Sequence, residues 1–182
     1  KVLRLTMLFH DMGKPVMKTT DENGRDHFKG HAIASEQIAK TVMKRLKFDN
    51  DTIRKVTKLV AYHDYRMEPT GANVRRAMHE IGVELYLAVR LADTKAQSSY
   101  ERRGKLENII QIRELYRNAL RNKECVTLKD LAVTGTDLIN LGIAPGKELG
   151  TLLNELLDMV IEDPAWNQKG KLCDYVKERF GF

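Results

Sequence analysis

Leu8-Phe9-His10-Asp11-Met12-Gly13-Lys14-Pro15 is the stretch on which the reading of this chain turns. It ends an apolar run of Val2, Leu3, Leu5, Met7, Leu8 and Phe9, and Gly13 with Pro15 stops the helix that this run makes. An imidazole and a carboxylate therefore stand side by side at a helix end. Within a helix, neighbours point about 100° apart. At a terminus the backbone can turn both toward one spot, which makes the pair half of a metal site if other donors join it. A His-Asp pair alone is satisfied just as well by ordinary hydrogen bonds.

Three later residues qualify by type and position. His31 follows Gly30 and opens an amphipathic helix in which Ile38, Ala39, Val42, Met43 and Leu46 oppose Lys40, Lys44, Arg45 and Lys47. Asp49-Asn50-Asp51 caps the next helix, whose stripe of Ile53, Val56 and Val60 continues to His63. That capping role accounts for the paired aspartates, which lack the rigid strand and Gly-Ser turn of a two-metal nucleotidyl-transfer site. Taken singly, His63 reads as a core histidine bonded to a backbone carbonyl. Asp93 lies in an almost wholly apolar helix from Val83 to about Tyr100, where an ionised carboxylate costs several kcal/mol unless something positive meets it. Arg90, Lys95 or a metal ion would each answer.

The remaining segments read mostly as helices. Residues 16–30 form a loop or a short two-stranded flap turning at Asn23-Gly24. A short helix over 73–80 ends before Gly82, and Arg102, Arg103 and Lys105 close the helix that contains Asp93. Leu106, Ile109, Ile110, Leu115, Tyr116, Ala119 and Leu120 stripe another helix, whose Arg113, Arg117 and Arg121 make a basic face. Such a face is either solvated surface or a nucleic-acid contact. Composition shifts near residue 125. Thr127 caps a short segment, Asp137–Leu141 forms a brief helix, and Pro145-Gly146 opens a helix striped by Leu149, Leu152, Leu153, Leu156, Leu157, Val160 and Ile161. Pro164 ends it and Asn167 caps the last helix. No segment alternates at period two, so the expected fold is all-α, a helical bundle over 1–124 followed by a small helical tail over 125–182.

With 182 residues the chain can bury a real core, and its opening at Lys1 suggests a fragment of something longer. A net charge of +6 and a pI near 9.3 favour a polyanionic partner. Cys125 and Cys173 have no metal-ligand spacing and fit a reducing cytoplasm. No apolar run is long enough to span a bilayer. His10, Asp11, His31, His63 and Asp93 together supply nitrogen and oxygen donors without thiolate, a set that suits magnesium, manganese, iron, nickel or zinc. A divalent ion there would lower the pKa of bound water and polarise a phosphoryl oxygen, with Lys14 steering a phosphate or nucleotide.

His10-Asp11 in "LFHDMGKP", Gly30-His31 in "FKGH", His63 in "LVAYHD" and Asp93 in "RLADTKAQ" resemble the HD superfamily of metal-dependent phosphohydrolases. More narrowly, they resemble the HD region of bacterial CCA-adding tRNA nucleotidyltransferases and poly(A) polymerase-like enzymes. The family pattern starts with a further His upstream of the pair, which this sequence does not include. Gly135-x-Asp137-Leu138-Ile139, Leu141-Gly142-Ile143, Pro145-Gly146, Gly150 and the Pro164 to Asn167 exit resemble the C-terminal portion of the same family. The resemblance implies an HD-like bundle followed by a tRNA-gripping tail, and Arg113, Arg117 and Arg121 of the bundle's last helix with Lys147 of the tail are the residues expected to meet RNA. Lys147 follows Pro145-Gly146 at a helix N-terminus, where free N–H groups suit phosphate. His10, Asp11 and Lys14 would carry any chemistry. The competing expectation is a stand-alone HD phosphohydrolase acting on cyclic phosphates or nucleotides. A third is self-association through the apolar first helix as a homodimer.

Overall fold

The computed structural model describes residues 1–99 and 101–181. The fold is all-α, apart from one two-stranded ribbon among the described residues. The helices are α1 (Val2–Phe9), α2 (Lys14–Met17), α3 (His31–Arg45), α4 (Asn50–Tyr62), α5 (Gly71–Glu80), α6 (Val83–Ala96), α7 (Arg102–Arg121), α8 (Gly135–Asn140), α9 (Lys147–Glu162) and α10 (Lys169–Phe180). Between α2 and α3, β1 (Thr19–Thr20) pairs antiparallel with β2 (Asp26–His27), with Gly24 in the turn at φ +75°. No described helix is long and apolar enough to cross a membrane.

The chain divides into two compact units, Lys1–Glu68 with Ile81–Gln111, and Pro69–Glu80 with Ile112–Phe182. In the first, α3 packs on α4, and α1 lies against α3, α4 and α6. Phe9, Ala39, Met43, Ile53, Val56 and Val60 form its core, with Val2 and Leu5 at the edge. Asp49 caps α4 by accepting from the Thr52 amide at 2.7 Å. After α4 the chain leaves helical structure, and α6 and α7 pin it down. The carbonyls of His63, Tyr65 and Met67 accept from Arg90 (3.2 Å), Tyr86 (2.8 Å) and Asn108 (3.1 Å).

The second unit packs α9 against α5 and α8 around Leu138, Leu152, Leu156, Leu157, Val160, Leu172 and Val176. Arg75, 7% exposed, is its buried polar anchor. It donates to the Ile161 carbonyl at 2.6 Å and the Glu162 carbonyl at 3.0 Å, closing the end of α9, and pairs with Glu124 at 2.8 Å. Cys125 is buried, which pushes its thiol up to about 11, and both cysteines are free.

Several local expectations are corrected. Leu46 is 58% exposed because α3 stops at Arg45 and Lys47 turns the chain at φ +56°, leaving Phe48 to pack on the core instead. Arg102 opens α7 instead of closing α6, which ends at Ala96; Tyr100, the expected end of that helix, lies outside the described residues. Asn167 does not cap α10. Its amide spans the Ala132 N–H (2.8 Å) and the Asp130 carbonyl (3.0 Å), and Gln168 takes the cap position. Pro164 begins a 3-10 turn, Pro164–Trp166, capped by Asp163.

Candidate metal centre

α1, α3 and α4 each deliver one imidazole to the same place, and each ring is held in the same way. His10 is the C-cap of α1, His31 the first residue of α3 and His63 the C-cap of α4. The Nδ1 of each lies near a carbonyl one turn back: Met7 (2.8 Å), Phe28 (2.9 Å) and Val60 (2.7 Å). A carbonyl only accepts, so each Nδ1 carries a proton; the Nε2 atoms of neutral His31 and His63 then present lone pairs, while that of His10 faces the carboxylates of Asp11 and Asp93. This is the outer arrangement that metal-ligating histidines adopt.

The Nε2 atoms of His31 and His63 are 3.1 Å apart, and Asp11 Oδ1 is 3.5 Å from the first and 3.6 Å from the second. Donors bound ~2.0–2.2 Å from one ion stand roughly 3.0–3.6 Å apart along a tetrahedral or octahedral edge. The triangle Asp11–His31–His63 therefore fits a metal ion. Two lone pairs at this separation repel, so either a shared proton or a metal ion belongs between them.

His10 meets the other oxygen of Asp11 and packs edge-on against the His63 ring, centroids 5.1 Å apart. His10 Nε2 lies 3.4 Å from Asp11 Oδ2 and 3.6 Å from Asp93 Oδ1. The Asp93 carboxylate holds the His10 imidazole above its ordinary pKa, and pairing with His10 in turn lowers Asp93. Burial pushes His63 down, toward the neutral form that ligates metals. Arg90 and Lys95, the alternative partners for Asp93, do not meet it. Its other oxygen accepts from Gln97 Nε2 at 2.6 Å, a residue one helical turn on that sequence reasoning passed over. The five expected donors thus form one cluster, with the two oxygens of Asp11 facing different halves.

The cluster floors a hollow of about 510 Å³, whose wall includes Lys14, Arg25, His27, Lys29, Asp64 and Arg66. Lys14 donates to Asp11 Oδ2 at 2.6 Å. The β-ribbon contributes Asp26 and His27, and His27 pairs with Asp21 at 2.8 Å. The ribbon's signal was the Asn-Gly turn, which places both strands next to the His-Asp pair.

In the second unit, Arg117 and Arg121 are exposed on α7, Arg113 is half-buried, and Arg121 is bonded to Asn118. Lys147 is exposed at the start of α9, where Gly146 holds φ +141° and Glu148 occupies the same first turn. A Cβ at Gly150 would meet open space.

The profile of the family described as tRNA nucleotidyltransferase domain 2 matches residues 31–176. The chain is 30% identical over 168 residues to a CC-adding tRNA nucleotidyltransferase of Thermus thermophilus, an alignment covering 87% of this chain and 36% of that protein. It is 27% identical over 138 residues to a CCA-adding enzyme of Pediococcus pentosaceus, covering 75% and 31%. The chain spans about a third of the length of these curated relatives. No solved structure matches it.

Proposed function

This chain belongs to the tRNA nucleotidyltransferase domain 2 family, and on that premise we propose that it is the helical, tRNA-holding part of a cytoplasmic enzyme adding nucleotides of the CCA sequence to tRNA 3′ ends. The observation that carries this reading is the family match across residues 31–176, which takes in most of both units. Addition itself would be the work of a catalytic head. This chain would recognise tRNA by shape and phosphate, as proteins recognise duplex RNA. Arg113, Arg117, Arg121 and Lys147 are the cations assigned to the phosphates. Binding of unmodified tRNA, measured by filter retention between low and high salt, is expected to weaken steeply as salt rises. An affinity indifferent to salt would overturn the assignment.

A second activity is favoured by one observation, the three imidazoles whose protons all point outward. Asp11, His31 and His63 would hold a divalent ion, with His10 and Asp93 as further donors. When bound, the ion would supply Lewis acidity and an acidified water for phosphoester hydrolysis. The chain's own residues would do the rest: Lys14 and the ribbon's Arg25 draw a phosphate into the hollow, and Lys14 orients Asp11. Metal analysis after incubation with manganese, nickel, zinc or magnesium, together with an assay on a 2′,3′-cyclic nucleotide, tests this. A chain that takes up no metal and shows no turnover would keep the tRNA-holding role alone.

A further inference from the structure

A second hollow, of about 460 Å³, lies in the first unit and is lined by Arg66, Arg90, Glu101, Gly104, Lys105 and Asn108. Three cations face it against a single carboxylate. Among the described residues, none of Arg66, Arg90 and Lys105 is ion-paired. Arg90 is only 6% exposed. One of its ends donates to the His63 carbonyl at 3.2 Å, and its Nε finds no partner among the described residues. Lys105 donates a hydrogen bond to the neutral amide oxygen of Gln97 at 2.6 Å. A buried guanidinium without a counter-ion, beside two more cations, is an unfavourable arrangement that an entering anion relieves.

The two hollows share structure. Arg66 lines both. Arg90 bonds directly to the backbone of His63, and Lys105 reaches Asp93 through the bridging amide of Gln97, so both cations are tied to donors of the metal centre. The volume falls within the ~300–1,000 Å³ of small-molecule pockets, more than a bare anion fills. We propose that this second hollow is a phosphate subsite, taking the phosphate of a nucleotide or of an RNA strand end through Arg66, Arg90 and Lys105. It needs no metal in the neighbouring centre, so it stands or falls apart from the hydrolytic reading.

The test is a titration of the full chain, followed through the arginine side-chain Nε–H resonances, with inorganic phosphate, adenosine 5′-monophosphate and a short 5′-phosphorylated RNA. All titrations are run in chelator and repeated in His31→Ala, so that loading of the metal centre plays no part. The Arg90 Nε–H signal is expected to move with each phosphate-bearing probe and to stay still with adenosine. Arg66→Gln and Lys105→Gln should each weaken binding about tenfold, the usual consequence of deleting one charge-assisted hydrogen bond. Lys29→Gln, on the other hollow, should leave it unchanged. RNA binding tighter than the mononucleotide would mark a strand end as the occupant; equal affinity would mark a free nucleotide. An unmoved Arg90 signal at saturation, or Lys29→Gln weakening binding as much as Lys105→Gln, would overturn the proposal.

Discussion

His31 and His63 present lone pairs to each other across 3.1 Å, with their ring protons committed elsewhere. At the residue scale this contact is favourable when a proton or a metal ion lies between the two nitrogens. Removing either ring leaves two donors of the Asp11–His31–His63 triangle. His63→Ala should therefore lower manganese or nickel affinity by more than the ~10–100-fold that loss of a supporting residue costs, measured by competition with a chelating dye. A titration unchanged from the parent would remove the metal assignment. A different residue sets a pH limit. The Lys169 ammonium, 2.6 Å away, with the Thr134 hydroxyl and amide, holds Asp137 at about 2. Its folded value lies below the ordinary one near 3.8, so the stabilisation is complete above that pH and is lost as pH falls toward 2. Thermal unfolding of Asp137→Asn should start below the parent at pH 7, and the gap should close by about pH 2.

At the scale of elements, the centre depends on how closely the turn after α1 approaches α3. A Cβ on Gly13 would stand 2.4 Å from the His31 carbonyl and 2.7 Å from the Ser35 amide, and the Gly13 N–H donates to Ser35 Oγ at 2.8 Å. Glycine is needed here for proximity, since its φ of −80° suits any residue. Gly13→Ala should cost about 1–3 kcal/mol by overpacking, or roughly 2–4 °C in Tm for each kcal/mol, and weaken metal binding with it. Calorimetry and the same dye competition check both. A variant with unchanged Tm would show that the two helices are free to part. Gly13 was read in the sequence only as a helix stop, because its second role depends on α3 and no local pattern reports a distant backbone.

For the whole molecule the surplus of six positive charges becomes specific only through placement. Arg117 and Arg121 are exposed on one helix at a spacing of one turn, so both can reach a single phosphate run. Replacing both by alanine should lower the salt slope of tRNA binding by roughly one for each, with the fold unchanged by circular dichroism. An unaltered slope would move the RNA contact to another face.

Read alone, the amino-acid order established the helical content, most of the caps, the basic surplus and the chemical types of the five donors. These follow from side-chain period and from groups a few positions apart, such as Asp49 with Thr52. It misread the ends, at Leu46, Arg102 and Asn167, where a helix stops and periodicity carries no further information. Tertiary structure alone decided that Asp11, His31 and His63 meet, that His10 and Asp93 pair beside them, and that Gln97 and Arg90 tie a second basic hollow to them. It also decided that α5 packs with α9 through Arg75, though α4 and α6 on either side of it belong to the other unit. The reason is physical: periodicity states which face of a helix is buried, whereas helix crossings and the backbone between them set what that face meets.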